Sequence, residues 1–229
     1  MAKIDEKELK TPNLFLEKAR RSLDYLVENR KRVFLAAGVA VGVVLIAVSW
    51  YFYRFDYESK AQKLYAAAFN YYHSAQTDYA GDAAVPQSVE KYREVVEKFP
   101  GTKAAGLALF SLGNVYYRVA DYDRAVEAFQ DFLKSSAARK ELKSLAFSGL
   151  GYCYEEKGQL DKAVEAYESA TNEPISSAFS GMTYMNIGRV YEKSKDPKKA
   201  LDYYRKASEQ KNDGLVDALV KRKIAELSS

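Results

Sequence analysis

The chain has 229 residues, with 35 Lys/Arg against 31 Asp/Glu and a formal charge of +4. One Cys and one His exclude an intramolecular disulfide, a Cys-rich metal site and most metal or acid–base chemistry. Residues 1–32 hold nine Lys/Arg and six Asp/Glu, so +3 of the charge sits there. The rest, at about +1, is a poor binder of nucleic acid, where phosphate neutralisation dominates affinity.

Residues 1–32 read as a cytoplasmic amphipathic helix segment. In "TPNLFLEKARRSLDYLVENRKR", Thr11 is the expected N-cap and Pro12 the first helical position. Phe15, Ala19, Leu23 and Leu26 share a face. Such a helix either lies in the membrane interface or continues the helix that follows.

Residues 33–53, "VFLAAGVAVGVVLIAVSWYFY", carry no charge and read as a transmembrane helix. At ~1.5 Å per residue the run spans about 30 Å, the thickness of a bilayer's hydrocarbon core. Trp50, Tyr51 and Tyr53 supply an aromatic belt at one end. The run is too long for a cleaved signal peptide and no small-x-small site follows it, so it is expected to remain as an anchor. Arg30, Lys31 and Arg32 abut its N-terminal side, with Lys18, Arg20 and Arg21 close behind; Arg54, Lys60 and Lys63 follow it. That bias places the N-terminus in the cytoplasm and residues 54–229 across the membrane. Gly38 and Gly42 form a G-x-x-x-G that lets another helix approach closely in lipid.

Beyond the anchor, one phrase recurs. It reads "SLGNVYYRVADYDRAVEAF" (111–129), "GLGYCYEEKGQLDKAVEAY" (149–167) and "NIGRVYEKSKDPKKALDYY" (186–204). Aligned on Gly113, Gly151 and Gly188, the copies keep Tyr116, Tyr154 and Tyr191 three residues on. They keep Ala125, Ala163 and Ala200 twelve on, and Phe129, Tyr167 and Tyr204 sixteen on. A fixed period with small and large residues at set offsets marks a helical repeat array. Each Gly and Ala gives two antiparallel helices a gap in which to approach, so Ala163→Leu is expected to overpack the seam. A degenerate copy precedes these, with Ala68 for Gly, Tyr71 three later, Ser88 in the small position, Tyr92 as the aromatic and Pro100 ending it. "AGDAAVPQ" (80–87) reads as a loop inserted in that copy, and "SSAARKELKS" (135–144) as the extra turn between the next two units. "GLVDALVKRKIAELSS" reads as a terminal amphipathic helix with Leu215, Leu219 and Ile224 on its apolar side. The units fall at 61–100, 106–138, 144–174 and 181–211, with a cap at 214–227. The expected fold is all-α: one transmembrane helix, then a helix–turn–helix solenoid.

These offsets resemble the tetratricopeptide repeat family, although the spacings of 38 and 37 exceed its 34 residues and its final Pro survives only as Pro174. In stacked helical repeats one stripe of each first helix lines a concave surface. Here that stripe comprises Tyr65, Phe69 and Tyr72, then Leu107, Phe110, Asn114 and Tyr117, then Tyr152, then Met182, Met185 and Arg189. An aromatic, Met-rich stripe points to a protein-binding groove. Members of the family that clamp a chaperone's terminal carboxylate use a Lys where Phe110 stands, which argues against that subtype.

No nucleophile elbow, zinc-protease motif or phosphate-cradling Gly loop is present. Carboxylates such as those of "EKYREVVEK" are expected at exposed helical positions, and Cys153 as buried packing. The chain therefore reads as a binding protein with no catalytic residue, metal or cofactor. The entry "LVENRKRVFLAAGVAVG", the Trp–Tyr exit and "YESKAQKLYAAAF" resemble the bacterial YfgM-like family of ancillary inner-membrane translocon subunits. The resemblance implies a periplasmic repeat domain that binds the translocon, periplasmic chaperones or client polypeptides. The alternative is a homo-oligomerising component of another envelope assembly, serving outer-membrane assembly or cell division.

Overall fold

The computed structural model describes residues 14–77, 81–173, 177–210, 212 and 214–228, and within them the side chains other than those of 14–16, 74–77, 81–84 and 177–178. Thr11, Pro12 and Pro174, and the side chain of Phe15, lie outside the described residues. Among the described residues every regular element is an α-helix. In chain order these are α1 (Leu14–Glu28), α2 (Arg30–Thr77), α3 (Gly81–Lys98), α4 (Lys103–Arg118), α5 (Tyr122–Lys134), α6 (Lys140–Glu156), α7 (Leu160–Asn172), α8 (Ser177–Lys193), α9 (Pro197–Ser208) and α10 (Gly214–Ser228). The chain forms two compact units, Met1–Phe55 and Asp56–Ser229.

In the first unit, Asn29 separates α1 from α2. Helical hydrogen bonds nevertheless run through it: the Asn29 N–H donates to the Tyr25 carbonyl at 3.0 Å, and the Val33 N–H to the Asn29 carbonyl at 3.0 Å. α2 is long and apolar enough to cross a membrane, and no residue of its most apolar window, of mean hydropathy 2.5, is buried. A Cβ at Gly38 or Gly42 would meet no atom of this chain within 4 Å.

In the second unit consecutive helices pair antiparallel through one recurring turn. The Asp121 N–H reaches back to the Tyr116 carbonyl, and the Ala120 N–H to Tyr117. The same two bonds recur at Gln159 to Tyr154 with Gly158 to Glu155, and at Asp196 to Tyr191 with Lys195 to Glu192. This is a Schellman motif, which satisfies the last carbonyls of a helix and needs a left-handed residue. Gly158 supplies it at φ +69°, whereas Ala120 and Lys195 adopt φ +60° with a side chain in the way. Asp121 and Asp196 then cap the following helix by accepting from the Arg124 and Lys199 backbone N–H groups.

The repeat glycines face the aromatic ring sixteen residues later. A Cβ on Gly113 would lie 2.6 Å from the Phe129 ring, and one on Gly188 2.9 Å from the Tyr204 ring. Gly151 faces the Tyr167 ring in the same way. Only a residue without a side chain allows that approach. Ala125, Ala163 and Ala200 are fully buried beside these contacts. In the degenerate copy, Ala68 and Ser88 are fully buried and Tyr92 is nearly so.

Three expectations need correction. Residues 81–87 are not a loop: α3 starts at Gly81 and runs through Pro86. Val85, Ser88, Val89 and Tyr92 follow at i, i+3, i+4 and i+7, and this apolar stripe packs on the core. It outweighs the single N–H that Pro86 lacks. Residues 140–144, expected within the inter-unit turn, are already helical in α6. On α10, Leu215 is 71% exposed; the buried positions are Val216 and Val220, with Leu219 and Ile224 at the edges. Leu215 and Ile224, nine residues apart, lie on opposite sides of a helix, so the expected trio cannot share one face; Ile224 packs with Val216 and Val220 and Leu215 does not.

A candidate protein-binding groove

The first helices of the degenerate copy and of the next repeat, α2 and α4, bring their stripes together. Tyr65, Phe69, Tyr72, Leu107, Phe110 and Asn114 meet around a cleft of about 320 Å³. The i, i+4, i+7 spacing of the α2 residues and the i, i+3, i+7 spacing of Leu107, Phe110 and Asn114 on α4 put each set on one stripe of its helix. Tyr65 and Phe69 lie 6.2 Å apart, centroid to centroid, and Tyr65 and Tyr92 5.8 Å apart. Phe110 is held from below by Phe129 at 5.9 Å and Phe132 at 5.5 Å. The Asn114 amide donates to the Phe110 carbonyl of its own helix at 3.0 Å.

His73, Tyr92, Ser111, Val115, Arg139 and Leu142 complete the lining. Sequence reasoning missed these. His73 sits one turn beyond Phe69, with ring centroids 4.2 Å apart, and extends the same stripe. Arg139 and Leu142 come from the start of α6, which the reading of 135–144 as a turn concealed. Arg118 borders the cleft side of Tyr72, its Nη1 donating to the Tyr72 hydroxyl at 3.0 Å. Burial pushes the Tyr92 phenol up to about 12, so it stays protonated.

The remaining groove residues lie outside this cleft. Tyr117 and Tyr152 face each other at 6.1 Å, and the Arg189 guanidinium lies 5.9 Å from the Tyr152 ring centre. Met182 and Met185 are half-buried against the cluster of Ala200, Tyr204, Val216 and Val220. Here the stripe turns polar. Glu155, expected among exposed carboxylates, is buried at 6% exposure. Arg189 forks onto it with Nε at 2.9 Å and Nη2 at 2.8 Å, and Lys193 Nζ reaches it at 2.8 Å. The Tyr167 hydroxyl donates to the same carboxylate at 3.2 Å. Burial pushes the Glu155 carboxyl up, but the hydrogen bonds from Arg189 and Lys193 outweigh it and hold the group below the usual range.

The pattern repeats one unit on. Glu192 accepts from the Tyr204 hydroxyl and from Lys223 Nζ at 3.0 Å. In both units the Glu lies four residues after the Gly, the Tyr twelve after the Glu, and the cation on the next first helix or the cap. Unit two has Tyr117 where the Glu would be, and there the aromatic is Phe129, without a hydroxyl. The covariation was visible in the sequence as Tyr with Glu against Phe with Tyr.

This side of the molecule offers aromatic faces, one cleft and carboxylates already satisfied by cations. Among the described residues no cluster of His, Cys, Asp or Glu is arranged to hold a metal ion.

Comparison with known proteins fits this geometry. Residues 24–229 match the model of a tetratricopeptide repeat-like domain. The chain belongs to that family. The chain is 25% identical over 166 residues to lipopolysaccharide assembly protein B of Escherichia coli (strain K12), a match covering 69% of this chain and 39% of that protein. The chain thus spans about two fifths of the length of the curated relatives it matches. Among solved structures, a putative kinesin light chain with nearly identical tetratricopeptide-like repeats from Podospora anserina superposes with a TM-score of 0.55 at 15% identity, covering 74% of this chain and 86% of that one. Pseudomonas aeruginosa PilF superposes at 0.54 with 16% identity, covering 73% and 69%. These likenesses concern the fold.

Proposed function

We propose that the chain is a non-enzymatic, single-pass inner-membrane scaffold. Residues 33–53 anchor it, residues 1–32 stay in the cytoplasm, and residues 54–229 present their groove to the periplasm. There it serves as an ancillary translocon subunit or chaperone adaptor, holding a translocated polypeptide or an envelope partner. The observation that carries the binding reading is the aromatic cleft of Tyr65, Phe69, Tyr72, Leu107 and Phe110. Phe69 is 42% exposed, so a ligand side chain can stack on it. The flank charges of the apolar span and the resemblance of its entry and exit to YfgM-like proteins support the placement.

A photo-crosslinking residue at Phe69 is expected to capture translocon components or emerging polypeptides in cells, while one at exposed Leu215 captures far less. Equal yields from both positions would remove the cleft from the account. A tag on the C-terminus should resist protease in sealed inner-membrane vesicles of inside-out orientation; digestion there would reverse the topology.

The similarity to lipopolysaccharide assembly protein B favours a second reading, in which the scaffold serves an envelope assembly. Gly38→Ile with Gly42→Ile separates the two. Loss of an oligomer in detergent supports the assembly reading.

A further inference from the structure

In the first unit α1 is an amphipathic helix with no covered apolar face. Leu23, Leu26 and Val27 are 60%, 45% and 71% exposed. Exposed apolar side chains gathered on one helix face mark a contact surface.

The charges say which kind. Ala19, Leu23 and Leu26 form one face, and Arg30 follows Leu23 by seven and Leu26 by four at its C-terminal end. Arg20, Val27 and Lys31 form the adjoining stripe, at i, i+7 and i+11. Glu17, Asp24 and Glu28 form another stripe with the same spacing, centred well away from the apolar face. The apolar face is therefore bordered by cations, and the carboxylates are turned off it. From Lys18 to Arg32, six basic side chains oppose two acidic ones.

We infer that α1 lies along the bilayer surface with its apolar face in the headgroup boundary and Arg20, Arg30 and Lys31 on anionic lipid headgroups. The inference rests on the membrane reading of α2, which follows α1 after one residue and so delivers its C-terminal end to the bilayer surface. Asn29 allows the change of direction. The Tyr25 carbonyl accepts from the Asn29 backbone N–H at 3.0 Å and from its side-chain amide at 3.1 Å. When the backbone bond opens, the side chain can keep that carbonyl satisfied.

The test uses the full chain in nanodiscs of phosphatidylcholine alone, or with roughly one-third phosphatidylglycerol. Amide exchange of residues 17–28 is expected to slow at least about tenfold in the anionic discs and to recover in high salt, as screening shortens the reach of the charges. Arg20→Gln and Lys31→Gln should each weaken the effect by about fivefold. Glu17→Gln should leave it intact or strengthen it. Equal exchange in both lipids, or an unchanged effect in the Arg20→Gln/Lys31→Gln double variant, overturns the inference. Failure of the membrane reading shows separately, as chain recovered free of the discs.

Discussion

Phe129 and Tyr167 occupy equivalent places one unit apart and are stabilised by different means. Phe129 is clasped between two glycines: a Cβ on either Gly113 or Gly149 would stand 2.6 Å from its ring. It lies in the buried apolar cluster, with Phe110 packed against both it and Phe132. Tyr167 has a glycine, Gly151, on one side only, because Asn186 stands where the second would be. Its hydroxyl instead reaches buried Glu155, which Arg189 and Lys193 tie to the next helix pair. Units can thus stack through shape or through a shared ion. The shape seam underlies the aromatic cleft, and the ion seam follows it.

The largest expected effect lies at the ion. Glu155→Ala leaves Arg189 and Lys193 facing each other without their carboxylate and should cost about 3 kcal/mol in urea unfolding of the repeat domain. Because the Glu155 carboxyl is held low in the folded state, its contribution is complete above the unfolded value of about 4.3 and is lost as pH falls through the lower folded value. The stability gap between wild type and Glu155→Gln should therefore be flat at neutral pH and close on acidification. A gap that widened toward low pH would contradict the ion seam.

Exchanging the two aromatics comes next. Phe129→Tyr puts a hydroxyl where Tyr117 replaces the acceptor and should cost about 2 kcal/mol. Tyr167→Phe loses one hydrogen bond to a carboxylate that keeps its cations, and should cost about 1 kcal/mol. Equal costs would mean that the two seams do not differ. Gly149→Ala should cost about 1–2 kcal/mol by pushing on Phe129, while Gly38→Ala, in open space, should leave the same melt unmoved. The smallest effect has the opposite sign. Ala120→Gly relieves a left-handed residue that Gly158 already serves in the next unit, and should stabilise by roughly 0.5–1 kcal/mol in thermal melts.

Most of the fold was legible because its determinants are periodic. Gly113, Gly151 and Gly188 with their partners repeat three times, and the apolar span is uniform over 21 residues. What escaped was local or non-periodic. Gly81 and Pro86 look like loop residues, and only the packing of Val85 and Val89 shows that they are helical. Leu215 looks like a core residue, but the i, i+4, i+8, i+11 spacing of Val216, Val220, Ile224 and Leu227 makes the buried face and leaves Leu215 off it. The aromatic half of the groove could be read as a stripe. Its closure by Arg139 and Leu142 depends on where α6 begins, and the burial of Glu155 depends on cations 34 and 38 residues away. The Schellman turns were hidden because two of the three left-handed positions carry Ala and Lys instead of Gly.

Cys153 is fully buried in the repeat core, and burial pushes its thiol up to about 12. The native sulfur is therefore inert toward maleimides and iodoacetamides while the domain stays folded. A cysteine introduced at Phe69 or on the outer face of α10 can take a fluorophore or spin label selectively without first removing the one the sequence contains. Modification of Cys153 itself then serves as a built-in clock for transient opening of the domain.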